Sequence, residues 1–244
     1  MRKRRNRIGT VLLSVLALTV ITLLGLICYK QYLMIEQQNK LEGLWTYEMD
    51  LSKTASEEAY KFLSGANGIS LSKEDVEEAM KDVKVKVSLE FTEDKRHFGT
   101  YKETLLKEDY DAAFDLAYEK MASLMAGIMK ERLTTAGIEL SNEEFEKKIV
   151  ETFDMPLKEY FEKKGPVLLE SFDDLNVRIN RSGEYEASDG KLIRYFMSVP
   201  YESSFSKTDN VLMIEDHVTD ETKTYIYQKV HSDDAGVDDS DAAK

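Results

Sequence analysis

The feature that most constrains this chain is an uncharged apolar run over residues 8–29, IGTVLLSVLALTVITLLGLICY. As an α-helix the run would be ~33 Å long, which matches the ~30 Å hydrocarbon core of a bilayer. The basic segment 1–7, MRKRRNR, precedes it, and only Lys30 follows closely. The positive-inside rule therefore predicts a single-pass cell-membrane protein with a cytoplasmic segment 1–7, a transmembrane helix 8–29 and an extracytoplasmic remainder.

Two other interpretations of the run are weaker. A cleaved signal peptide would have an apolar region of about 7–15 residues that ends in small residues at the cleavage site. Ile27, Cys28 and Tyr29 are too large for such a site, and Cys28 also lacks the small neighbours expected of a lipid-carrying cysteine. Because Cys28 is the only cysteine, the part after the run has no disulfide, which is more typical of bacterial cell-surface proteins than of animal secreted ones.

The charge distribution limits the class of partner. Five of the 33 basic residues precede the apolar run, whereas all 46 acidic residues follow it. The folded part is therefore more acidic than the net charge of −13 suggests, and it should repel nucleic acid. Residues 30–42 are predicted to continue the helix as a stalk that Gly43 stops, and the acidic tail 231–244 is predicted to be disordered.

Alternating apolar and polar residues predict an antiparallel sheet after the stalk. The stretch VKVKVSLEFTE and the segment that follows it predict a hairpin over 83–106. Five more short strands are predicted, separated by turns at 181–183, 188–190 and 208–210: LNVRIN, GEYEAS, KLIRYFMS, NVLMIED and TKTYIYQKV. With a first strand around Trp45, the count is about eight.

Helical patterns interrupt the sheet twice, at about 53–81 and 108–171. Ser72 with Asp75 and Ser141 with Glu144 resemble capping boxes. The longest predicted helix carries one apolar stripe: Tyr110, Phe114, Ala117, Met121, Leu124, Met125 and Ile128. The methionines at 121, 125 and 129 fit a core face or an adaptable binding groove, and we favour the core.

The start of the first strand, Gly43-Leu44-Trp45, resembles the Gly-x-Trp opening of lipocalin-like (calycin) barrels. The stretch SGEYEASDGKLIRYF is similar to a hairpin common in bacterial lipocalin-like domains. The resemblance implies a mainly β protein with helical inserts (α+β), in which 43–230 form an antiparallel barrel of about eight strands. It also implies that a basic residue on the last strand, Lys229 or else Lys223, packs across Trp45. The alternative for Trp45 is an interfacial aromatic at the membrane surface.

No pattern in the sequence predicts catalysis. His97, His217 and His231 fall on separate predicted elements, and the sequence has no catalytic or phosphate-loop motif. Only one stretch clusters potential metal ligands, and we interpret it as a solvated turn rather than a metal site: Glu215, Asp216, His217, Asp220 and Glu221. We therefore expect no enzyme activity, no cofactor and no metal.

The expected function is that of a membrane-anchored extracytoplasmic binding or scaffolding module. Its ligand would be a small apolar molecule or a protein partner. Inward side chains predicted to line the barrel are Val85, Val87, Leu89, Phe91, Leu192 and Phe196. The alternative is a structural or regulatory subunit of a cell-surface membrane complex that acts through its helical insert.

Overall fold

The structure is a computed structural model that describes residues 2–65, 71–218 and 221–230, without the side chains of 2–12, 14, 217 and 218. The predicted tail 231–244 lies outside the described residues. The elements, in chain order, are α1 (Arg2–Asn39), β1 (Gly43–Asp50), α2 (Ser52–Ser64), α3 (Lys73–Ala79), β2 (Lys84–Lys95), β3 (Phe98–Leu105), α4 (Lys107–Thr135), α5 (Asn142–Phe153), α6 (Leu157–Lys164), α7 (Phe172–Ile179), β4 (Arg181–Ser188), β5 (Lys191–Phe196), β6 (Val199–Lys207), β7 (Val211–Val218) and β8 (Glu221–Lys229).

The eight strands form a closed barrel in sequence order, β1 to β8. Neighbouring strands from β4 to β8 pair antiparallel, for example Tyr185 with Arg194 and Ser203 with Asp216. Two-residue turns join two of these pairs, and both turns have the positive φ angles that tight hairpins require: Asp189-Gly190 and Met197-Ser198. The predicted α+β class with an eight-stranded antiparallel barrel is therefore confirmed.

Helix α1 contains a stretch, Val15–Asn39, that is long and apolar enough to cross a membrane, and none of that window is buried. A signal sequence near the N-terminus can share this property. The helix ends at Asn39, so the prediction that Gly43 stops it is wrong. Gly43 instead begins β1 with a φ of +125°, a conformation that favours glycine.

Contacts divide the chain into two compact units. The first, called the anchor unit, comprises Met1–Leu44, Glu90–Tyr101 and Gly183–Lys244. Phe91 and Tyr185 are both buried in this unit and meet edge to face, with ring centroids 4.8 Å apart. The other apolar side chains buried in this unit are Leu41, Tyr101, Ala187, Leu192, Phe205, Leu212, Ile214 and Tyr227.

Within the anchor unit, residues of the barrel bind the end of α1. Arg96, in the β2–β3 turn, donates to the Tyr32 hydroxyl and lies 3.5 Å from Glu36 Oε1. Lys207, at the end of β6, donates to the backbone oxygens of Gln37, at 2.9 Å, and Lys40. The predicted stalk 30–42 is therefore not a free spacer, since residues of the β2–β3 turn and of β6 bind its last turns.

The second unit, called the helical unit, comprises Trp45–Leu89 and Lys102–Ser182. Its core joins helices α2 to α7 to apolar residues of the strands, namely Val83, Val85 and Val87 of the β2 segment and Leu105 of β3. The two predicted capping boxes, at Ser72 and Ser141, are present at the starts of α3 and α5. The predicted helices thus pack as one body with the strand residues of this unit.

Three details of the predicted strands and turns are wrong. The segment LNVRIN lies mostly in α7, because Ser171 caps a helix whose Leu175 and Ile179 are buried one turn apart. The eighth strand is instead β6, whose Pro200 and three serines weaken the strand pattern in the sequence. The predicted turn at 181–183 is also wrong, since Arg181, Ser182 and Gly183 lie inside β4.

Candidate functional site

The three residues predicted to form a lipocalin-like signature, Gly43, Trp45 and Lys229, lie in the first and last strands. Trp45 is fully buried in β1. A Cβ atom added to Gly43 would lie 3.5 Å from Lys229 Cε, and the Val230 amide donates to the Leu44 oxygen at 2.9 Å. These contacts place Lys229 beside the start of β1. Packing of Lys229 across the Trp45 ring stays a prediction.

The predicted acidic cluster divides between two strands rather than forming a turn. Glu215, Asp216 and the backbone of His217 belong to β7, and Glu221 begins β8, whereas Asp220 lies outside the described residues. Glu215 accepts from Ser204 Oγ at 3.1 Å. Asp216 faces the other side of the strand and binds Arg194. Within the residues searched, no group of three potential ligands is arranged to hold a metal ion.

The other two histidines contribute little to a site. His97 occupies the β2–β3 turn with a φ of 61°, and its amide donates to Glu93 Oε1 at 2.8 Å. Its Nδ1 atom is buried without a hydrogen-bond partner. His231 lies beyond the described residues. The structure therefore does not bring the three histidines together into one described site.

A polar cluster that sequence reasoning missed spans β5, β6 and β7. The Arg194 guanidinium donates to Asp216 Oδ1 at 2.8 Å and to Ser203 Oγ at 3.2 Å. Ser203 in turn donates to Asp216 Oδ1 at 2.5 Å. In the alternating pattern of β5, Arg194 falls on the same inward face as Leu192 and Phe196, and it is buried. An arginine at an inward position is therefore the feature of the sequence that could have indicated the cluster. Through these shared hydrogen bonds the cluster cross-links three strands.

The helical unit carries an open groove of about 340 Å³ between α4, α5 and α6. Seven apolar residues line it: Ala122, Ala126, Phe145, Ile149, Val150, Pro156 and Leu157. Its volume is in the range of sites that hold small ligands or single large side chains of a partner. The groove was not predicted in detail, because it depends on how three separate helices pack.

Charges surround this groove unevenly. Lys130 donates to Asn142 Oδ1 at 2.8 Å and lies 4.9 Å from the centre of the Phe145 ring. Lys158 pairs with Asp115 at 3.2 Å, and its hydrogen bond to Asp115 raises the pKa of the Lys158 amine. Glu119 and Glu146 have no ion pair within the described residues. The lysines are therefore engaged, and the two carboxylates remain available to a cation.

The methionine stripe does not line the groove. Met121 is fully buried, and Met125 and Met129 pack against the core of the helical unit. Of the two interpretations of the stripe, the structure therefore supports the core.

A second cavity, of about 390 Å³, lies in the anchor unit beside the end of α1. It is called the lysine cavity, and its lining residues are Gln37, Lys40, Lys207, Asp209, Asn210 and Lys229. Burial lowers the pKa of Lys207, and the charges of Lys229 and Lys40 lower it further. Three cations thus converge where only one acidic side chain lines the wall.

Comparison of the chain with models of protein families, with curated proteins and with solved structures gave no match.

Proposed function

We propose that this chain is a membrane-anchored, extracytoplasmic, lipocalin-like binding module, without enzyme activity, that holds a protein partner in the groove of its helical unit. The groove between α4, α5 and α6 is the single observation that carries the proposal. The apolar run of α1 and the basic residues before it support the anchor and its orientation. The closed eight-stranded barrel and the Gly43-x-Trp45 start support the lipocalin-like assignment.

The geometry of the groove favours a particular kind of partner. Its floor is apolar, and it can accept a large apolar side chain, the type of residue that dominates binding energy at protein interfaces. Glu119 and Glu146 would then attract a lysine or arginine next to that side chain. We therefore expect a segment with an apolar anchor residue flanked by basic residues.

The test uses site-specific photo-crosslinking of the full chain in its own membrane. A photoreactive residue replaces Ser123, which lines the groove, and in a control it replaces Ala112, an exposed residue of the same helix outside the groove. We expect a protein adduct from position 123 and none from position 112. An Ala126→Trp substitution, which fills the groove, should abolish the adduct.

The charge requirement has its own control. Glu119→Gln with Glu146→Gln should weaken crosslinking at least fivefold, whereas Glu131→Gln with Glu139→Gln removes the same charge elsewhere and should have no effect. Equal adducts from positions 112 and 123, or an adduct that survives Ala126→Trp, would contradict the proposal. Stabilisation of the chain by small apolar molecules, lost in Ala126→Trp and without any protein adduct, would instead indicate a small-ligand carrier.

The same groove supports a narrower role, as a structural or regulatory subunit of a cell-surface membrane complex. An insert that is packed on the strand residues of its unit can present the groove in a fixed geometry. In that case the adduct formed at position 123 is an integral membrane protein. An adduct with a soluble protein would exclude this narrower role and leave the binding module.

A further inference from the structure

We propose that the lysine cavity binds the phosphate group of an anionic ligand, at a site separate from the groove. The chain has 46 acidic residues against 33 basic ones. A cavity lined by three lysines and one aspartate therefore has the opposite balance of charge to the chain as a whole. Asp209 is that aspartate, and Lys40, Lys207 and Lys229 are the lysines. The excess of positive side chains in this wall would attract an anion.

The hydrogen bonds of Lys207 leave it suited to this role. An ammonium group has three donors, and two of those of Lys207 go to the backbone oxygens of Gln37 and Lys40. These bonds hold the amine at the end of α1 and leave one N–H for a ligand. The side-chain amide of Asn210, also in the wall, supplies further donors.

The surroundings of Lys207 favour a nearby anion. Burial, then the charges of Lys229 and Lys40, lower the pKa of Lys207, whereas the charges of Asp209 and Glu93 act in the opposite direction. Lys40 has its own partner, Glu42, at 2.8 Å. A bound phosphate would offset the repulsion among the three amines and would raise the pKa of Lys207 toward its ordinary value.

The position of the cavity suggests two sources for the phosphate. Gln37 follows the end of the predicted span at Tyr29 by ~12 Å along the helix, and headgroups extend ~5–7 Å beyond the hydrocarbon core. Because a lysine side chain extends ~6 Å, a phospholipid headgroup and free phosphate are both within reach. The lipid source rests on the membrane anchor of the proposed function, whereas binding of free phosphate does not.

The experiment follows the lysine amines of the full chain in lipid nanodiscs. The amines are ¹³C-methylated, and the Lys207 signal is assigned by its loss in Lys207→Gln. Inorganic phosphate is titrated into discs of phosphatidylcholine alone and into discs that also contain phosphatidylglycerol. We expect a saturable shift of the Lys207 signal and a higher Lys207 pKa when phosphate is bound.

Substitutions with opposite expected effects separate binding from misfolding. Lys207→Gln should weaken phosphate binding at least tenfold, and Asp209→Asn, which removes the only carboxylate in the wall, should tighten it severalfold. The matched controls Lys191→Gln and Glu90→Gln, which make the same charge changes elsewhere, should leave the affinity unchanged. A chain that ends at Val230 lacks the acidic tail and should bind phosphate like the full chain.

The binding measurements decide the proposal. A shifted Lys207 signal in phosphatidylglycerol discs before phosphate is added supports the site with lipid as its source. Saturation by inorganic phosphate equally in both kinds of disc supports it with a soluble source. Absence of any saturable shift, an unchanged affinity in Asp209→Asn, or binding seen only after removal of the tail overturns it. Failure of the chain to enter the discs would instead count against the membrane anchor.

Discussion

Single residues decide how the barrel begins, and Trp45 is the first of them. The side chain is fully buried in β1, so its truncation should leave a large cavity. We expect Trp45→Ala to reduce the free energy of unfolding by about 3–5 kcal/mol, the usual cost of losing a buried tryptophan. Denaturant unfolding followed by circular dichroism measures this. A loss below about 1 kcal/mol would mean that Trp45 does not support the core.

Tyr185 carries a buried hydroxyl that we expect to lower the stability of the fold. Its hydroxyl is buried with no hydrogen-bond partner, while its ring packs on Phe91. Tyr185→Phe keeps the ring and removes the unsatisfied hydroxyl, so it should stabilise the protein by about 1 kcal/mol near pH 7. A Tyr195→Phe variant on the next strand controls for the loss of a hydroxyl elsewhere. Destabilisation by Tyr185→Phe would show that the hydroxyl has a partner in solution.

The same tyrosine should make stability depend on alkaline pH. Burial, followed by the charges of Glu93, Glu42 and Asp94, raises the pKa of Tyr185 well above its ordinary value. Below about pH 10 the hydroxyl is neutral in both states, so it adds no pH dependence. Above that pH it ionises first in the unfolded chain, so stability falls as pH rises. The difference between the denaturation midpoints at pH 8 and pH 10.5 should therefore be smaller in Tyr185→Phe than in the parent protein.

At the scale of elements, the sequence specified the helices better than the last strands. Capping residues such as Ser72 and Ser141 are local signals, and both capping boxes formed where they were predicted. Leu175, Val177 and Ile179 alternate as a strand would, yet Leu175 and Ile179 are also one helical turn apart. The buried pair and the Ser171 cap favour the helix, and Val177 is 79% exposed. A short pattern that fits both periods is settled only by tertiary packing.

The groove and the lysine cavity could not be predicted for a related reason. Each is lined by residues from elements that are distant in the sequence, such as Gln37 with Lys229, or Glu119 with Lys158. No local motif connects such residues. Gly43 and Trp45, in contrast, lie two residues apart in one strand, so a local pattern could single them out.

Gly183 gives a prediction about strand pairing. A Cβ atom at this position would lie 1.8 Å from the Tyr195 backbone oxygen, so the close approach of the two strands requires glycine. We expect Gly183→Ala to destabilise the protein by about 1–3 kcal/mol or more, because the backbones must separate. Gly127 in α4 has open space around it and serves as the control. Gly127→Ala should stabilise the helix by about 1 kcal/mol, and equal effects at the two sites would contradict this account.

At the scale of the whole molecule, orientation in the membrane can be tested by labelling. In a Cys28→Ser background, Lys86→Cys places a thiol on an exposed position of β2 and Asn6→Cys places one in the basic N-terminal segment. A membrane-impermeant maleimide should label position 86 on intact cells, and position 6 only after permeabilisation. The reverse pattern would place the barrel on the cytoplasmic side, and labelling of both would indicate that the chain is not anchored as proposed.

The attachment of α1 has a consequence for how the anchor unit moves. The helix leaves the predicted span without a break, and Arg96 and Lys207 bind its last turns. A domain joined to its anchor by a flexible linker would rotate almost freely above a bilayer, whereas a helix bound to the strands transmits its own orientation to them. If α1 spans the membrane as proposed, the strands bound to it must turn and tilt with it, and their rotational diffusion should be as slow as that of the helix in the lipid.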